Sequence, residues 1–188
     1  MAIRKRQLNT NTFYFSTITC YKWLPLIEIT NLYDHIYNWF DLLKSKKVKI
    51  TGYVIMPNHM HLLLFTMNNT TNINSILGTG KRFMAYEIVR RLNNLNRKKV
   101  IKELQASVNP NDKLEGKLHN VFEPSFDLKE IATEKFIVQK LNYIHANPVR
   151  GKWNLADDFR NYEHSSAGFY ELGIENCYGV VHYSKALE

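Results

Sequence analysis

The stretch VKITGYVIM-PN-HMHLLLFTM, residues 48–67, limits what this chain can fold into more than any other. Two strand-like runs meet at Pro57-Asn58, which reads as a tight turn, so Val48–Met56 and His59–Met67 are expected to form a β-hairpin. An isolated hairpin is marginal in water, so further strands or helices must cover it. Thr12–Cys20 (TFYFSTITC), dense in aromatic and β-branched side chains, reads as a first strand. Between them, Leu32, Ile36, Trp39, Phe40 and Leu43 recur at helical spacing and predict an amphipathic helix over Asn31–Lys44.

Beyond the hairpin, Ile76, Phe83, Ile88, Val89 and Leu92 are the expected core positions of a second helix, made basic by Lys81, Arg82, Arg90 and Arg91. Residues 93–120 are polar and charged and read as an exposed excursion or mobile loop. Val121–Ile131 is expected to hold a fourth strand, with Pro124 placing it at an edge or a bulge. A third helix is predicted over Thr133–Ala146, capped by Thr133, with an apolar face of Phe136, Ile137, Leu141 and Ile144, and ended or kinked at Pro148. This order of elements predicts an α+β, ferredoxin-like antiparallel sheet with helices packed on one face. At 188 residues one domain is expected over 1–188, with 154–188 as a packed C-terminal extension.

Composition narrows the function classes. A 45% hydrophobic and 13% aromatic content excludes a wholly disordered chain. Apolar runs such as Leu62–Phe65 are too short to span a bilayer, so no membrane partner is expected. The basic N-terminal segment lacks the apolar core of an export signal, and Cys20 and Cys177 form no CxxC pair; both features fit a reducing cytoplasm. Lys and Arg outnumber Asp and Glu by 25 to 17, a net charge of +8 that suits a polyanionic partner without identifying one.

Two clusters carry chemistry. On a strand, His59 and His61 share a face with Cα atoms about 6.6 Å apart, close enough for both imidazoles to converge on one ion. A lone His-x-His is weak evidence, because such histidines are more often structural or merely exposed. On a helix, Tyr143 and Asn147, four residues apart, share a face about 6 Å along the axis. A phenol, with a pKa of about 10, is a weak nucleophile at neutral pH unless a metal neutralises charge on the scissile phosphate, so the two clusters need each other. For an arbitrary tyrosine among eleven, a packing role is the default. His145 lies about 200° round the helix from Tyr143 and is expected to be structural or a DNA contact.

The segments YVIMPNHMHLLL and YIHANPVRGKW, in this order, resemble the signatures of the REP-associated tyrosine transposases, a branch of the single-tyrosine transposases within the HUH endonuclease superfamily. Phe126-Asp127 and Tyr162-Glu163-His164-Ser165-Ser166-Ala167 extend the resemblance, which runs from about Thr12 to Leu172. It implies a ferredoxin-like fold, Mg²⁺ or Mn²⁺, and single-stranded DNA folded into hairpins. By the same resemblance His59 and His61 are metal ligands, Asn147 the third ligand, and Tyr143 the nucleophile that forms a 5′-phosphotyrosine intermediate. Lys81, Arg82, Arg90, Arg91, Arg150 and Lys152 are candidate DNA contacts, with a solvated surface as the equal alternative. Monomer and homodimer both remain open. Two other classes fit parts of the pattern: a non-catalytic single-stranded nucleic-acid-binding module, and a hydrolase that uses water in place of Tyr143.

Overall fold

The structure is a computed structural model, and it describes residues 11–67, 72–151, 153–175 and 178–187. Strand β1 (Asn11–Thr19) leads through a short helix α1 (Leu26–Ile29) to α2 (Tyr33–Ser45). The hairpin of β2 (Val48–Met56) and β3 (His59–Met67) follows, then α3 (Ile73–Asn94), α4 (Lys98–Ala106) and α5 (Pro110–Leu114). After β4 (Lys129–Ile131) come α6 (Glu134–His145) and α7 (Ala167–Leu172). The four strands form one antiparallel sheet in the order β2-β3-β1-β4, the α+β, ferredoxin-like arrangement expected.

Register decides what each face carries. β3 pairs with β1 along its length, with Thr19 opposite His59 and Thr17 opposite His61. On β2 the register against β3 shifts between Ile50 and Gly52. Because side chains alternate, this bulge lets Val48 and Ile50 on one side of it, and Tyr53 and Ile55 on the other, enter the same core. That core also takes Tyr14, Ile18, Met60, Leu62 and Leu64, and is covered by Ile36, Phe40 and Leu43 of α2 and Leu77, Met84, Ile88 and Leu92 of α3.

The expectation of helices on one face holds for α2 and α3, but α6 lies on the other. Ile137, Leu141 and Ile144 of α6 pack on Phe15, Val54, Met56 and Leu63, the alternate residues of the same strands. The near-continuous apolar run of β3 is the mark of a strand buried on both sides. Gly52 lets α6 sit close, since a Cβ there would lie 2.5 Å from Leu141 Cδ2.

Three further expectations change. Residues 93–120 are largely helical rather than a loop: α3 runs to Asn94, and Ile101 and Leu104 of α4, one turn apart, are buried in the main core. Phe83 and Phe136, expected in the core, are exposed, because α3 and α6 each need only a narrow stripe to cover the sheet. β4 is confined to three residues at the sheet edge, and ahead of it Thr17 N donates to Phe126 O and Glu123 N to Thr19 O on either side of Pro124.

The C-terminal extension covers the outer edge of β2. Ile55 N donates to His164 O, Ser166 N to Tyr53 O and Val181 N to Ile50 O, satisfying a strand that would otherwise present unpaired backbone groups. Among the described residues no helix is long and apolar enough to cross a membrane.

Candidate active site

His59 and His61 open β3 directly after the turn and face α6, while Met60 between them enters the opposite core. Both imidazoles are buried, with ring centroids 4.8 Å apart. Each is held through Nδ1. Asn58 Nδ2 donates to the Trp23 carbonyl at 3.1 Å, which turns Asn58 Oδ1 toward His59 Nδ1 at 2.7 Å. His59 Nδ1 is therefore the protonated nitrogen, and its Nε2 carries a lone pair. His61 Nδ1 lies 2.8 Å from Thr17 Oγ1, and its buried Nε2 has no hydrogen-bond partner among the described residues.

Burial favours the uncharged rings. It lowers the His59 pKa to about 4, against a small opposing contribution from a hydrogen bond with the Asn147 side chain. Burial likewise takes His61 down to about 3, helped by the nearby charges of His59 and Lys140. Two neutral imidazoles with second nitrogens fixed by Asn58 and Thr17 form a donor set suited to a divalent cation, and an unpartnered buried Nε2 is otherwise destabilising. Among the described residues no group of three or more His, Cys, Asp and Glu could hold a metal.

α6 and the turn after it bring Tyr143 and Asn147 to the histidines. The Thr133 cap of α6 accepts from Phe136 N, and the helix's buried stripe fixes its rotation on the sheet. The Tyr143 ring consequently lies 5.2 Å from that of His61 at an angle of 65°, with the residue 46% exposed. Asn147 opens the 3-10 turn after the helix; its Nδ2 donates to Tyr143 O at 2.8 Å, and its side chain is within hydrogen-bonding reach of His59. The four residues singled out in two distant segments, His59, His61, Tyr143 and Asn147, thus converge on one spot.

His145 points the other way. It is buried, its Nε2 lies 2.8 Å from Ser166 Oγ, and Ser166 Oγ in turn accepts from Tyr53 N. Burial lowers its pKa to about 4. Of its two expected roles it has the structural one, bolting α6 to β2 and the C-terminal extension.

No family model matches the chain, and no curated protein matches it. Among solved structures, it superposes on a REP-associated tyrosine transposase bound to a REP hairpin, with a TM-score of 0.56 and 15% identity, covering 96% of this chain and 92% of the other. The fold is that of a REP-associated tyrosine transposase. A protein from Deinococcus radiodurans R1 assigned as a transposase aligns over 76% of this chain and 95% of its own, at 16% identity and a TM-score of 0.39.

The basic candidates of α3 are not at this spot. Lys81, Arg82, Arg90 and Arg91 lie on α3, across the sheet from the histidines. Lys81 Nζ donates to the carbonyls of Glu123, Pro124 and Ser125, tying α3 to the segment beside β1. Arg91 bridges Asp34 and Glu87 and donates to Thr30 O and Asn31 O. Arg90 pairs with Glu87, whereas Arg82 is exposed against Phe83, and Arg150 is exposed beyond the 3-10 turn. Lys152 lies outside the described residues.

Sequence reasoning missed four residues around the site. Phe15 stacks on His61 at 5.5 Å, Lys140 Nζ lies 4.5 Å from the Phe15 ring centroid and 5.6 Å from that of Tyr143, Thr17 holds His61, and Trp23 meets His59. Lys140 was readable, one helical turn before Tyr143. Phe15 and Thr17 become readable only once β1 is registered against β3.

Proposed function

We propose that this chain is a single-stranded DNA transposase and endonuclease that cuts and rejoins DNA at hairpins through a covalent 5′-phosphotyrosine. The observation that carries the reading is a half-exposed phenol, Tyr143, placed against two buried histidines, one of whose Nε2 atoms has no hydrogen-bond partner among the described residues. Binding of a REP hairpin by the fold neighbour supports hairpin DNA as the substrate.

In this reading His59, His61 and Asn147 hold Mg²⁺ or Mn²⁺, which when bound supplies positive charge to a non-bridging phosphate oxygen. Two imidazole donors favour Mn²⁺ of the pair, because Mg²⁺ prefers an all-oxygen shell. Tyr143 Oη attacks phosphorus, the phosphorus to O3′ bond breaks, the phenol proton passes to solvent, and the departing O3′ takes up a proton. The phosphotyrosine conserves the energy of the broken phosphodiester, so a second 3′-hydroxyl can displace the phenol and join strands without ATP. Asn58 and Thr17 keep each imidazole turned the right way throughout.

The test incubates the wild type and Tyr143→Phe with labelled hairpin DNA from the sequence flanking the gene, with Mn²⁺ or EDTA, on denaturing gels. A protein-linked band is expected only with Mn²⁺ and only with Tyr143. Metal-dependent cleavage by both proteins would point to a hydrolase using water, and a native-gel shift without cleavage to a binding module.

A further inference from the structure

One large side chain at the site has no role in the reaction as written. Trp23 is 56% exposed, and its indole meets His59 edge to face, 5.3 Å between centroids at 70°. Its position follows from the sheet: His59 pairs with Thr19 at the end of β1, and the chain runs on through Cys20 to Trp23, beyond the end of the sheet. The rings of Trp23, His59, His61 and Tyr143 therefore make three successive edge-to-face contacts, with the two exposed rings at the ends and the buried histidines between.

The backbone presenting Trp23 is strained. Lys22 and Trp23 both have positive φ, 49° and 58°, a conformation unfavourable for any residue with a Cβ and rare for two in succession. Tertiary contacts hold it: Lys22 N donates to Glu123 Oε1 at 2.8 Å, Trp23 N to Cys20 O at 3.0 Å, and Asn58 Nδ2 to Trp23 O at 3.1 Å. Asn58 is also the residue that orients His59, so the indole and the imidazole share one anchor. The exposed Lys22, the preceding residue in the chain, adds a cation to this corner of the molecule, with its Nζ over the Tyr21 ring at 5.2 Å from the centroid. An aromatic face with an adjacent cation is the arrangement that holds single-stranded nucleic acid, by base stacking and phosphate attraction.

We infer that Trp23 is a stacking platform for the base of the DNA nucleotide that departs with the 3′-hydroxyl. The inference rests on the proposed cleavage chemistry. In-line displacement puts the attacking and leaving oxygens on opposite sides of phosphorus. Tyr143 lies against His61 and Trp23 against His59, at opposite ends of the row of rings, so a phosphate seated over the histidines would be attacked from the Tyr143 end and would release its leaving oxygen toward Trp23. The indole thus selects for a stacked base at that nucleotide and holds the new 3′ end near the phosphotyrosine for rejoining.

The experiment scans 2-aminopurine through the single-stranded arms of the hairpin probe. Wild type, Trp23→Ala and Trp23→Phe bind each probe in EDTA, where stacking is read as fluorescence quenching without cleavage; the same probes are then cleaved with Mn²⁺. One position is expected to quench most strongly, to lie immediately 5′ of the cut, and to lose its quenching in Trp23→Ala but keep most of it in Trp23→Phe. For Trp23→Ala, KM should rise about 5- to 150-fold, as when a stacking aromatic is truncated, with kcat nearly unchanged. An abasic residue at that position should weaken the wild type and not Trp23→Ala. Equal quenching by wild type and Trp23→Ala, or a maximum 3′ of the cut, overturns the inference. Trp23-dependent quenching without any cleavage would overturn both the phosphotyrosine chemistry and the assignment to a departing nucleotide, leaving Trp23 as a base-stacking residue of a binding module.

Discussion

Strand β3 serves both faces of the sheet, and the two faces bury different things. Toward α2 and α3 it sends Met60, Leu62 and Leu64 into a large apolar core. Toward α6 it sends His59, His61 and Leu63, and the apolar cluster there is far smaller. Apolar burial stabilises at about 25 cal/mol per Å² and scales with area, so the α2 and α3 face carries most of the stability. The α6 face carries strain: two buried imidazoles kept neutral, one with an unpartnered Nε2, and a left-handed turn at Lys22 and Trp23. Separating the two lets a stable core tolerate a strained surface one strand thickness away.

The sharpest way to break this comparison uses neighbours on β3. Leu62→Ala should cost about 2–5 kcal/mol of stability by opening a cavity, measured by urea denaturation, while the cleavage rate per folded molecule stays near wild type. His61→Leu should do the reverse, abolishing cleavage and Mn²⁺ binding with stability unchanged or raised, because it removes an unsatisfied polar atom. If His61→Leu unfolds the protein, the histidine face is structural and the comparison fails.

Acid should weaken the α6 face. The pKa values of His59, His61 and His145 are lowered to about 4, 3 and 4, so between about pH 4 and the unfolded value of about 6.5 the unfolded chain binds more protons. Stability is then full above about pH 6.5 and falls as pH drops, each histidine adding at most about 1.4 kcal/mol per pH unit. Denaturation curves through this range should show the slope, and His145→Gln, which can keep a bond to Ser166, should reduce it. A flat profile would show these rings to be less buried than they are here.

Smaller effects sharpen the same contrast. Gly52→Ala should cost about 1–3 kcal/mol by driving a methyl group into Leu141, and should slow cleavage more than DNA binding, since α6 carries Tyr143. Arg91→Ala should lower stability by about 1 kcal/mol, read by thermal melting, and leave DNA affinity unchanged, because its partners are within the protein. A marked loss of DNA binding in Arg91→Ala would return α3 to the DNA-contacting surface.

Much of this was legible in local pattern. The hairpin, the amphipathic α2 and the Thr133-capped α6 follow from period, turn and cap, and all appear within a residue or two of their expected bounds. α4 escaped notice because Ile101 and Leu104 are set among charges and give too short a stripe to register against a polar background. Phe83 and Phe136 fit a helical period yet face solvent, since period locates a stripe but not the width that its neighbour can cover. The basic run on α3 showed its charge and not its partners: Asp34, Glu87 and the carbonyls of Glu123 to Ser125 lie elsewhere in the chain.

The division has a physical origin. Period, capping and turn chemistry act over a few residues, so the sequence by itself determined the hairpin, α2 and α6, the α+β class, and that His59 with His61 and Tyr143 with Asn147 each share a face. Tertiary structure alone decided which faces meet. The bulge at Gly52, the pairing of Thr17 and Thr19 with the histidines, and the seat of α6 on the second face of the sheet bring residues more than 80 positions apart into contact. Packing and register are set by the whole chain at once, and so are the neutral histidines, whose charge is suppressed by burial that no local pattern contains.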